Sequence, residues 1–86
     1  MLIEKQYKKK NVDAQQSIKN EIEMIKKGMS EKNIVQLNEI LVELKKMLNN
    51  KCLQLSYPRI IIDSWDFKDE LGIKLLDLAE LYKRMK

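Results

Sequence analysis

The sequence predicts an all-α fold: an antiparallel helical hairpin plus a C-terminal helix, arranged like a three-helix bundle. Three observations carry that reading. Apolar residues recur at helical spacing in three stretches, only three residues separate the first two, and the third has its charges where a helix dipole favours them.

The central stretch runs from about Glu31 to Asn49. Ile34, Leu37, Leu41, Leu44 and Leu48 follow one another at spacings of 3, 4, 3 and 4, and Val35, Ile40 and Met47 widen the stripe. Ser30 stands where an N-cap belongs, Glu31 adds negative charge to the first turn, Lys45, Lys46 and Lys51 crowd the end, and Asn49-Asn50 stops the helix.

Upstream, Ala14, Ile18, Ile22, Ile25 and Met29 mark a helix over Asp13 to Lys27. Gly28, the residue type that most easily turns left-handed, ends it. With only Gly28, Met29 and Ser30 between the two stripes, residues 13 to 50 are expected to form an antiparallel hairpin. Residues 1 to 10, with Leu2, Ile3, Tyr7 and several lysines, read as a fraying extension of the first helix. The rival reading is a frayed basic arm.

The third stripe comprises Phe67, Leu71, Leu75, Leu78, Tyr82 and Met85, and predicts a helix of about 66 to 85. Asp66 is the expected cap, with Asp69 and Glu70 in the first turn and Lys83, Arg84 and Lys86 in the last. Gly72 inside it costs about 1 kcal/mol relative to Ala, so it marks either a close helix crossing or a plain loss. Residues 53–64 stay undecided. Leu53, Leu55 and Tyr57 alternate like a strand, whereas Pro58 can open a short helix carrying Ile60, Ile61 and Ile62. A lone strand has no partner, so a short extended or one-turn connector over the bundle is expected.

At 86 residues, with 44% apolar and 35% charged residues, the chain has material for a single helical domain with one core. It holds no run of 18 apolar residues, and charge appears by Glu4, before a signal-peptide core is possible. A cytoplasmic protein without a membrane partner is expected. The lone Cys52 cannot form an intramolecular disulfide, in keeping with a reducing compartment. Fifteen Lys against two Arg, with ten Ile and six Asn, suggest an AT-rich coding sequence and a bacterial or phage source.

The inventory argues against an enzyme. With no histidine, one cysteine and two glycines, the chain lacks an imidazole base, a thiol pair and a glycine-rich phosphate loop. Neither a cofactor nor a metal is expected. Asp63, Asp66, Asp69 and Glu70 are the one dense acidic cluster, and helix capping accounts for them better than Ca²⁺ or Mg²⁺ does, since the alternating pattern of a calcium loop is missing.

Two surfaces remain as candidates for binding. The segment Tyr57 to Phe67 concentrates Tyr57, Arg59, Ile61, Trp65 and Phe67, residue types typical both of binding hot spots and of a small core. Three consecutive isoleucines cannot all point inward. The second surface is basic: the net charge of +4 falls in residues 1–56, where Lys5, Lys8, Lys9 and Lys10 precede Lys19, Lys26 and Lys27. These lysines lack interleaved aromatics other than Tyr7, which favours a solvated face over phosphate contacts.

The expectation is therefore a small non-catalytic protein-binding module acting through apolar helix faces: a regulator, inhibitor, immunity protein or accessory subunit. The alternative is a small nucleic-acid-associated factor using the lysine-rich half. The central stripe also fits two and a half coiled-coil heptads, with Ile34, Leu41 and Leu48 at a and Leu37 and Leu44 at d. Intramolecular packing is the simpler reading of that stripe. Leu, Ile and Met are nevertheless abundant enough to favour a homodimer through helices.

Overall fold

Among the described residues four helices follow one another: α1 (Leu2–Lys26), α2 (Ile34–Asn49), α3 (Tyr57–Ser64) and α4 (Glu70–Arg84). The structure, a computed structural model, describes residues 2–50, 53–66 and 68–84, without the side chains of Leu2 and Ile3. The expectations placed on Cys52, Phe67 and Met85 lie outside the described residues. The fold is all-α, as the periodicity predicts, with one helix more than the three stripes announce.

α1 begins well before Asp13 because its stripe does. Tyr7, Asn11, Ala14 and Ile18 follow at spacings of 4, 3 and 4, and all four are buried. Asn11 sits in that stripe with its polar groups satisfied: its amide donates to the Leu44 carbonyl at 3.1 Å, and its Oδ1 accepts from Gln15 at 2.7 Å. Tyr7 meets Tyr82 of α4 with ring centroids 5.7 Å apart. Residues 2–10 are thus helix, anchored from below by Tyr7.

Gly28, at φ +74°, ends α1. Its N–H donates to the Ile25 carbonyl and that of Met29 to the Met24 carbonyl, the paired bonds of a Schellman turn. The connection then runs on to Asn33, and Asn33, not Ser30, caps α2: its Oδ1 accepts from the N–H of Val35 at 2.8 Å and of Gln36 at 3.3 Å. Ser30 serves the turn instead, accepting from the Lys32 N–H. Asn11 lies against Leu44 and Glu21 against Lys32, so α1 and α2 run antiparallel as expected.

The buried face of α2 is Leu37, Ile40, Leu44 and Met47, with Leu41 and Leu48 half-buried and Val35 exposed. The stripe is rotated from its expected centre because α2 packs against α1 on one side and α3 on the other. Its heptad seam is filled from within the chain.

Residues 53–56 form a connector outside any helix or strand, with Ser56 already in αR backbone, and then the chain coils into the two turns of α3, where a single turn or none was expected. Pro58 in the first turn lacks only an N–H that would have no helical partner anyway. Ser56 makes no side-chain cap; the cap comes from Glu43 of α2, which accepts from the N–H groups of Ser56 and Tyr57 at 2.6 and 3.1 Å. Tyr57 and Ile61 fill the core, and the Tyr57 hydroxyl donates to the Leu75 carbonyl of α4 at 2.7 Å. The Tyr82 hydroxyl accepts from the Leu53 N–H at 2.9 Å and donates to the Asn50 carbonyl, pinning the connector to α4.

Asp69, not Asp66, caps α4, accepting at Oδ1 from the Gly72 N–H at 3.0 Å. Asp66 instead closes the preceding turn by accepting from the Lys68 N–H. Gly72 does mark a close crossing. A Cβ there would stand 3.2 Å from Ile61 Cγ2 and 3.3 Å from Trp65 Cε3.

Candidate partner-binding surface

A helix on a polar exterior is expected to be polar outside, and α2 breaks that rule twice. Val35 and Val42, one heptad apart, are 59% and 51% exposed. They share an open groove of about 620 Å³ with Leu53, between α2 and the connector 53–56; Glu39, Glu43 and Lys46 stand along it. A second groove of about the same volume lies against the same segment, lined among others by Leu53, Pro58 and Ile62, with Ile62 70% exposed. Leu53 and Gln54 belong to both grooves, so the surface is continuous across the segment. Apolar patches rimmed by polar groups are the usual signature of an interaction site.

The candidates from Tyr57 to Phe67 are not gathered into one exposed patch. Tyr57 and Ile61 belong to the core, with Tyr57 at 0% exposure, and no partner can touch them without opening the fold. Arg59 is exposed and lines the second groove with Ile62. Trp65 is half-buried: its indole Nε1–H donates to Gln36 Oε1 at 3.3 Å, and Lys32 Nζ stands 5.4 Å above its ring. Phe67 lies outside the described residues.

Lys32 also pairs with Asp69 at 2.7 Å and with Glu21 at 3.7 Å, tying the α1–α2 turn to the start of α4. Burial alone would raise the Asp69 carboxyl. The hydrogen bonds from Lys32 and from the Gly72 and Leu71 N–H groups outweigh it and hold the group below the usual carboxylate range. Asp69 therefore works as a cap and a tie, and among the described residues no three Asp, Glu, Cys or His side chains converge as a metal site.

The four N-terminal lysines are all exposed, but they do not share one face. Lys8 and Lys10, two residues apart on a helix, point to opposite flanks. Lys10 lies toward α4, lining one pocket with Asp13, Glu70, Lys74 and Asp77. Lys5 and Lys9 project away from the Tyr7–Asn11 side.

The residues that sequence reasoning misses are Val42, Leu53 and the polar groups at their rim. Val35 counts with the buried stripe by proximity, although its spacing of seven from Val42, on the far side of Leu37 and Ile40, is the available signal. Among the described residues no helix is long and apolar enough to cross a membrane. Compared with known proteins, the chain matches no family, no curated sequence and no solved structure.

Proposed function

We propose that the protein is a small non-catalytic binding module that engages another protein chain through the outward face of α2 and the connector 53–56 beside it. The observation that supports this most is the exposure of Val35 and Val42 in one groove with Leu53, on a helix whose core face is already filled. These valines do no folding work that the buried stripe leaves undone. Burying two valines and part of a leucine would contribute about 1.5 kcal/mol or more per side chain at an interface.

Capture from the native host tests the reading. Tagged parent protein, a Val35→Ser/Val42→Ser variant and a Lys5/Lys8/Lys9/Lys10→Ser variant are compared for what co-purifies. The valine variant, with unchanged thermal stability, is expected to lose the bound protein, and the lysine variant to keep it. The reverse pattern, with nucleic acid in the eluate, would replace this reading by the nucleic-acid alternative.

A further inference from the structure

We infer that the groove along α2 is filled by a second copy of this chain, the two α2 helices packing antiparallel about a two-fold axis beside Val42. This rests on the reading of that face as a binding surface and names its occupant.

Charge along the groove identifies the occupant. Three acidic or basic side chains stand along the groove: Glu39, Glu43 and Lys46. Both oxygens of Glu43 are engaged in holding Ser56 and Tyr57, at 2.6, 2.6 and 3.1 Å. Glu39 and Lys46 are exposed and, among the described residues, have no ion-pair partner. They sit seven residues apart, about 10 Å along one stripe, with Val42 close to midway between them.

An antiparallel two-fold beside Val42 therefore brings Glu39 of each copy level with Lys46 of the other, twice over, and places Val42 against Val42 at the centre. Parallel pairing would set Glu39 against Glu39 and Lys46 against Lys46, so the same charges reject it. A polyanion would meet one favourable group, Lys46, and two unfavourable ones, Glu39 and Glu43, whose donors are neutral and leave its charge in place.

A reversible dimer needs a contact of about 600 Å² on each copy, the low end of specific interfaces and about a tenth of the 6089 Å² surface of the chain. Association in the micromolar range follows from a small apolar centre flanked by rim charges.

Sedimentation velocity between micromolar and millimolar concentration tests the inference on four samples: parent, Glu39→Lys, Lys46→Glu, and an equal mixture of the two variants. The parent should shift from 10.3 kDa toward twice that mass. Each variant alone sets like charges together at both contacts and should associate about tenfold or more weakly. The mixture should recover the parent's association, because one variant then presents lysine at both positions and the other glutamate at both, so each contact again joins opposite charges. Equal thermal melts for all chains separate this effect from misfolding. A parent that stays monomeric, or single variants that associate as the parent does, would overturn the inference. A monomeric parent whose valine variant still loses a captured host protein would overturn the dimer and leave the binding reading standing with a different occupant.

Discussion

The carboxylate of Glu43 caps a helix whose N-cap residue, Ser56, lies thirteen residues later, accepting from the Ser56 N–H and hydroxyl and from the Tyr57 N–H. The bond spans two elements, so it fixes where α3 starts relative to α2 and thereby shapes the groove between them. Glu43→Ala is expected to cost about 1 to 2 kcal/mol in urea unfolding, the scale of a lost charged cap. Glu43→Gln, which keeps one acceptor, should cost less. An alanine variant as stable as the parent would show that α3 needs no cap from α2.

Gly72 lies under Ile61 and Trp65. An alanine there gains about 1 kcal/mol of helix propensity, but its Cβ meets a β-branched side chain and a rigid ring, neither of which can give way cheaply. Gly72→Ala is therefore expected to destabilise by about 1 kcal/mol net. In a Trp65→Ala background one of the two obstructing groups is gone, and the same substitution should become neutral or stabilising. Additive effects of the two changes, measured by a double-mutant cycle, would contradict the close crossing.

The helical stripes are legible in the sequence because period and charge placement agree over whole elements, as in Ile18, Leu37, Leu44, Leu75 and Leu78, all buried. The start of α1 is hidden by Asn11, a polar residue in an apolar stripe whose partners, Leu44 and Gln15, only the folded chain brings together or orders. The caps shift from Ser30 to Asn33 and from Asp66 to Asp69 because several capping residue types stand within three or four positions, and the tie to Lys32 favours the later acid. α3 is ambiguous for the same kind of reason: its cap is Glu43, remote in sequence. At the surface, the binding candidates around Tyr57 rest on residue type. Residue type does not distinguish a hot spot from a core, whereas the exposed valines announce themselves only once the core face of α2 is known.

Alkaline pH should unfold the protein through its buried tyrosines. Burial pushes the Tyr7 hydroxyl up to about 12, with the Asn11 bond opposing and Tyr82 adding to the shift. Tyr57 is raised further, by burial first and then by the nearby charges of Glu43 and Tyr7. A group whose folded pKa lies above its unfolded value contributes stability that is complete below the unfolded value, near 10, and lost as pH rises toward the folded one. Unfolding free energy should therefore fall between about pH 10 and pH 12. Tyr57→Phe should lose less stability across that window than the parent. An unfolding free energy that stays level across that window would contradict the burial of both rings.

The central claim, that the outward face of α2 binds a protein chain, is tested most directly by a photo-reactive amino acid placed in turn at positions 42, 62, 19 and 80 in cells of the native host. All four positions are exposed, so the label itself should not disturb the fold. Adducts of defined mass are expected from position 42, with weaker ones from 62, and none from 19 or 80. Adducts from 19 with none from 42 would contradict the account and move the interface to the lysine-bearing side of α1.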